Sequence, residues 1–180
     1  MDSLEPPALA GALQYANAAA ALATLWGMGV SLRPDAINHA LRSLQLPGRF
    51  QVVPGTVEWI LDVAHNEPAV RVLAGNLCQR PCAGRTLVVT GILGDKDVAA
   101  IAPLLAGAAD RLYLCGIDAP RGLTAAQLAA RAPEFARGVQ CEDIAAGMRA
   151  AANESRPGDR IVVCGSFLAV APALERLGLY

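Results

Sequence analysis

Thr86-Leu87-Val88-Val89-Thr90, followed directly by Gly91-Ile92-Leu93-Gly94-Asp95-Lys96-Asp97, is the stretch on which the fold turns. A five-residue run without a charge, apolar at three successive positions, leaves neither face for water, so it belongs in a parallel sheet covered above and below. The glycines and charges after it mark the end of the strand, and 98–106 reads as a helix. The pattern recurs downstream in Leu112-Tyr113-Leu114, within a strand at 111–115, and in Ile161-Val162-Val163, within a strand at 160–164. Helical signals lie between and after these runs, over 67–79, 125–130, 144–152 and 167–177.

Upstream, Pro47 and Gly48 punctuate the chain before two strand-like runs, 50–53 and 57–64, joined at Pro54 and Gly55. Earlier still the signals are helical. One helix is expected over 7–26, with Leu9, Leu13, Ala16, Ala20 and Ala23 on one face, and another over 35–44 after the start signal at Pro34. The expected organisation is therefore a helical lead-in, 1–46, and an α/β domain, 47–180. Strands alternating with helices predict a Rossmann-like, mostly parallel sheet with helices on both faces. Ligands of such sheets bind beyond the carboxyl ends of the strands, which directs attention to 62–66, 91–97, 116–122 and 165–167.

Composition narrows the function. With 54% hydrophobic and 17% charged residues, the 180-residue chain is globular material. Fifteen basic against sixteen acidic residues give a net charge of −1, which supplies no field to hold a phosphate backbone, so nucleic acid is excluded as a partner. Residues 6–32 carry no charge, yet they are rich in alanine, contain Gln14, Asn17 and Thr24, and are broken by Gly27 and Gly29. The reading is a soluble, packed helix and no membrane span, and the acidic start at Asp2 and Glu5 is not that of a signal peptide. Five cysteines, an odd number, fit a reducing cytoplasm. Cys78 and Cys82 are four apart, but neither His39 nor His65 lies at zinc-site spacing, so no metal site is expected. There is no G-x-G-x-x-G for a nicotinamide cofactor and no G-x-x-x-x-G-K-[ST] phosphate loop. If the domain handles ATP, the phosphate cradle is supplied from outside these residues.

The strand-end loops carry the chemistry. Asp62-Val63-Ala64-His65-Asn66 sets a carboxylate, an imidazole and an amide where they converge on a ligand; alternatively Asp62 or Asn66 caps the next helix and His65 is an ordinary surface residue. In the 91–97 turn, Asp95 or Asp97 is equally suited to cap a helix, and Lys96 is the one lysine of the chain.

Five blocks then occur in the order seen in a known family: Leu46-Pro47-Gly48-Arg49-Phe50-Gln51, Ile60-Leu61-Asp62-Val63-Ala64-His65-Asn66, Gly91-Ile92-Leu93-Gly94-Asp95-Lys96-Asp97, Ala119-Pro120-Arg121-Gly122 and Val163-Cys164-Gly165-Ser166-Phe167. The chain resembles the C-terminal, glutamate-ligase domain of bacterial bifunctional dihydrofolate synthase/folylpolyglutamate synthases, in the muramyl ligase superfamily. The segment 13–22 looks like the asparagine- and alanine-rich helix that closes the family's central ATP-binding domain. The resemblance implies an ATP-dependent ligase that activates a carboxylate as an acyl phosphate and joins L-glutamate to dihydropteroate or a folate. It implies ATP and magnesium as cofactors, with the phosphate loop and most metal ligands in an N-terminal ATPase domain outside this chain.

By the same resemblance, Arg49 reaches the ATP phosphates, a role that suits a permanently charged, bidentate guanidinium. Asp62 matches the carboxylate at the ribose hydroxyls, Asn17 the asparagine at the adenine, and His65 a histidine of the closed site. Lys96, Asp118, Arg121 and Ser166 match the region that takes the incoming amino acid. Arg121 as a solvated loop residue and Ser166 as a helix cap are the plainer readings. The sequence departs from the family where Glu67 separates Asn66 from Pro68, which is expected to shift the first turn of the next helix, and where Leu13 stands for a histidine. A monomer in the cytoplasm is expected. A domain of another muramyl-type amino-acid ligase, or a stand-alone nucleotide- or amino-acid-binding module, stays open.

Overall fold

The computed structural model describes residues 4–9 and 11–179 and divides into two units, Met1–Leu46 and Pro47–Tyr180. The first unit holds two helices, α1 (Ala12–Gly27) and α2 (Pro34–Ser43). The helix expected from residue 7 starts at Ala12, because Gly11 turns the backbone at φ 105°, outside the helical region. None of its residues is buried, and the expected apolar face is not a packed one: an alanine-rich helix has little side-chain area to bury. Helix α2 does bury Ile37 and Leu41, and Glu5 pairs with Arg42 across the unit.

The second unit runs β1 (Gln51–Val53), β2 (Glu58–Asp62), α3 (Glu67–Gln79), β3 (Thr86–Thr90), α4 (Val98–Ala108), β4 (Arg111–Cys115), α5 (Ala125–Ala130), β5 (Val139–Cys141), α6 (Ile144–Glu154), β6 (Arg160–Cys164) and α7 (Phe167–Arg176). The sheet order is β1-β2-β6-β3-β4-β5. Only the β1–β2 pair is antiparallel; β2–β6, β6–β3, β3–β4 and β4–β5 are parallel. This is the expected α/β class.

Period-two alternation divides the strands between two cores. Ile60, Val88, Leu114 and Val162 face α3, α4 and α5, where Leu73, Leu77, Ile101, Leu105 and Leu128 are buried. Leu61, Leu87, Val89, Tyr113, Ile161 and Val163 face the other way, onto Ile144, Met148, Val170 and Leu174 of α6 and α7. Each five-residue central strand is thus fully covered, which is why its sequence shows no polar face.

The helices are fixed at their starts by side-chain caps: Asn66 for α3, Asp97 for α4, Thr124 in a capping box with Gln127 for α5, Asp143 for α6 and Ser166 for α7. Each cap satisfies a backbone N–H that would otherwise lack a partner. Pro68 lies in the first turn of α3, where a missing N–H costs nothing, so Glu67 is accommodated and the helix still begins directly after Asn66. The strand β5 and the short 3₁₀ turn Pro133–Phe135 were not expected.

Candidate functional site

β6 lies between β2 and β3, and the helices after β2 and β3 pack on one face while α7, after β6, packs on the other. Loops diverging to opposite faces leave a crevice at the carboxyl ends of the strands. The register sets Asp62, Cys164 and Thr90 in one row across these three strands.

Asp62 closes β2 and is half-buried. Its Oδ2 accepts from Phe50 N at 2.9 Å and its Oδ1 from Ala64 N at 2.8 Å. It therefore caps no helix; it ties the chain before β1 to the turn after β2. Phe50 holds a left-handed φ of 42°, uncommon for a bulky side chain, and its N–H bond to Asp62 helps to keep it there. Burial raises the Asp62 carboxyl above its ordinary value, against the N–H donors of Ala64 and Phe50 and the nearby charge of Arg49. Arg49 itself is exposed, with its guanidinium carbon 5.9 Å from the ring centre of Phe167, a cation–π distance. Phe167 is 60% exposed at the first turn of α7. The loop after β2, the loop after β6 and Arg49 thus meet.

His65 is half-buried, and its Nδ1 lies 2.9 Å from the Val63 carbonyl oxygen. Nδ1 carries the hydrogen in that contact, so the ring's acceptor is Nε2. Asn66 gives its side-chain oxygen to Ala69 N at 3.0 Å and is a helix cap.

The second assembly is built around Asp95. Its Oδ2 receives Lys96 Nζ at 3.1 Å and an Arg121 terminal nitrogen at 3.0 Å, which brings together two of the residues singled out by sequence. Lys96, then Arg121, holds the Asp95 carboxyl below the usual range. The two loops are also joined through their backbones, by a bridge between Leu93 and Gly122 and by Gly94 N donating to Arg121 O at 2.7 Å. Arg131 adds a third cation, donating to Gly94 O at 2.9 Å. Sequence reading missed Arg131 and the role of Asp95. Arg131 lies just past α5, outside every strand-end loop, and only the fold returns it to Gly94.

Ser166 is 4% exposed and its Oγ accepts from Ala169 N at 3.0 Å, so the capping reading holds; the hydroxyl hydrogen is left to donate. Asp118 is exposed in the 116–122 loop with no side-chain hydrogen bond or ion pair among the described residues. Asn17 is exposed on α1, in the first unit, and donates to Gln14 Oε1 at 3.0 Å. Thr90 Oγ1, fully buried at the end of β3, lacks a hydrogen-bond partner among the described residues. Beside it the Cys164 thiol is pushed up to about 12 by burial, which keeps it unreactive.

The chemistry of the donor set fits an anion at Arg49 and a small dicarboxylate near Lys96 and Arg121. Among the described residues, no group of three or more His, Cys, Asp or Glu side chains is placed to hold a metal ion. Nor, among those residues, is any helix long and apolar enough to cross a membrane.

Comparison with known proteins gives the family and the fold. The family described as "Mur ligase, glutamate ligase domain" matches residues 48–167. The chain is 38% identical to the dihydrofolate synthase/folylpolyglutamate synthase of Escherichia coli K12 over 159 residues, 88% of this chain and 37% of that protein. The solved E. coli FolC in complex with DHPP and ADP superposes with a TM-score of 0.89 at 35% identity, covering 99% of this chain and 41% of that one. A solved bifunctional folylpolyglutamate synthase/dihydrofolate synthase with Mn, AMPPNP and L-glutamate bound gives 0.88 at 37% identity, covering 99% of this chain and 42% of that one. The chain therefore spans about two fifths of the length of the relatives it matches.

Proposed function

This chain belongs to the Mur ligase family, as its glutamate ligase domain, and on that premise we propose that it serves an ATP-dependent ligase that adds L-glutamate to dihydropteroate or a folate. The observation that carries the reading is the Asp95 assembly: two cations, Lys96 and Arg121, held at one strand-end surface by a single carboxylate. L-Glutamate presents two carboxylates, and charge-assisted bonds to cations are the strong way to hold them. Ser166 contributes its hydroxyl hydrogen, Asp118 lies in the same loop, and Arg131 orders the Gly94 turn.

ATP, when bound, supplies the phosphoryl group that activates the acid to be coupled. Arg49 grips phosphate oxygens, and Asp62, each of whose oxygens keeps a second acceptor site, takes the ribose hydroxyls. Asn17 takes the adenine edge. His65 presents Nε2 to the attacking amine and accepts its proton or orients it. Magnesium is held by residues outside this chain, as is the phosphate loop, so unit Met1–Leu46 acts as the end of a central ATP-binding domain and unit Pro47–Tyr180 as the glutamate-binding half of the cleft. The ligase works as a monomer in the cytoplasm; five free thiols support a reducing compartment.

Calorimetric titration tests the reading. The chain should bind L-glutamate and turn over no ATP by itself, and Lys96→Ala or Arg121→Ala should weaken glutamate about ten- to hundredfold. Preference for a diamino acid over L-glutamate would move the domain to a peptidoglycan-type ligase. Binding of neither would remove the ligase assignment of these loops.

A further inference from the structure

A second recess lies at the opposite end of the sheet, where α3 and α4 finish and β6 begins. It has a volume of about 260 Å³ and is lined by Ala74, Leu77, Cys78, Leu104, Gly107, Ala108 and Arg160. Its walls are apolar except for Arg160, which is only 6% exposed. A charge that far from water is costly unless paired, yet no carboxylate pairs with Arg160 among the described residues. Its Nε donates to Thr86 Oγ1 at 3.1 Å and one terminal nitrogen to the Arg80 carbonyl at 3.1 Å. A guanidinium has five N–H donors, so three are left without an acceptor among the described residues.

The carboxylates nearest in sequence and register have other partners. Glu58 stands beside Arg160 in the β2–β6 register, but both its oxygens go to Arg80. Asp159, the preceding residue, accepts from Arg85 N, the Arg85 guanidinium and Arg156 N. Asp110 accepts from Thr86 N.

We propose that this recess is a binding site for a small monocarboxylate with a short aliphatic body, its carboxylate on Arg160 and its chain between α3 and α4. The buried, acid-free guanidinium sets the sign of the ligand, the Leu77, Leu104 and Ala108 walls set its apolar part, and the volume limits it to a few carbons. The proposal is independent of the glutamate loops, which lie at the other ends of the strands.

Hexanoate is the probe, with 1-hexanol and hexylamine as its neutral and cationic counterparts. Titration calorimetry on the 180-residue chain reads affinity, and peptide-mapped alkylation reads occupancy through Cys78, an exposed thiol on the lining. Hexanoate should bind about ten- to hundredfold more tightly than hexanol, the ratio a charge-assisted bond contributes. It should slow alkylation of Cys78 and leave Cys82 unchanged. Arg160→Met should abolish the preference for the acid. Should that variant not fold, Ala74→Leu decides: Ala74 is a half-buried side chain of the lining, so the larger side chain takes up the recess and should abolish binding of both ligands. Equal affinity for hexanoate and hexanol, no protection of Cys78, or hexanoate binding that survives Ala74→Leu would each overturn the proposal.

Discussion

Ser166 Oγ already accepts the Ala169 N–H, so Ser166→Ala should lower stability by about 1 kcal/mol, the value of a lost N-cap. Lys96→Ala and Arg121→Ala should not. The Arg121 side chain is 67% exposed, and surface pairs such as Arg121–Asp95 contribute at most about 1 kcal/mol, often nothing measurable. Melting temperature and glutamate affinity measured on the same variants separate the roles: a melting loss without an affinity loss at Lys96 or Arg121 would take them out of the site. Gly165 makes a sharper case. Its φ is +112° and a Cβ there would lie 2.4 Å from the Gly91 carbonyl oxygen, so Gly165→Ala must move the junction of β6 and α7 against the loop after β3. Strain of this kind costs about 1 to 3 kcal/mol. It should also weaken glutamate binding, because it shifts Ser166 and the 91–97 turn together; a variant with wild-type melting would show that the junction yields freely.

Among the elements, those with a repeating pattern were legible. The bounds of β3, β4, β6, α3 and α5 agree with the sequence reading: β3 and β6 are buried throughout, the inner end of β4 is buried, and Asn66 and Thr124 cap the starts of α3 and α5. β5 escaped notice: it has three residues, with Gln140 exposed in its centre, and it pairs on one side only, so its alternation is too short to read and it carries no apolar run. α1 was overextended since alanine favours a helix without saying where it packs. The site was legible wherever its residues fall in one loop, as with Asp62 and His65. Lys96 and Arg121 were grouped across two loops by the family resemblance, but the part of Asp95 that joins them shows only in the fold. The entry to β6 carries a testable charge of its own. Asp159 is held down to about 2 by the Arg85 N–H, the Arg85 side chain and the Arg156 N–H. A carboxyl lowered on folding contributes stability above its unfolded value near 3.8, and that contribution is lost as pH falls from there towards 2. Unfolding curves taken across this window should show stability dropping, and Asp159→Asn should be less stable at pH 6 with a flatter acid limb. An unchanged slope would assign the acid response to other carboxyls.

At the scale of the whole molecule, the sheet closes on its last strand. β6 is paired on both sides, to β2 and to β3, and Ile161, Val162, Val163 and Cys164 are wholly buried between the two helical layers. A chain stopped at residue 154 would keep β1–β2 and β3–β4–β5 as separate pieces, each with an open parallel edge. It should aggregate rather than melt cooperatively, whereas a cooperative transition in that truncation would show that the pieces find another pairing. The same feature has a meaning in time. During synthesis Asp62 leaves the peptidyl transferase centre 102 positions before Cys164 does, an interval of roughly 5 to 20 seconds at about 5–20 residues per second. Until β6 is made, β2 and then β3 each carry an unpaired parallel edge, so the nascent domain exposes them to other chains until its final fifth emerges.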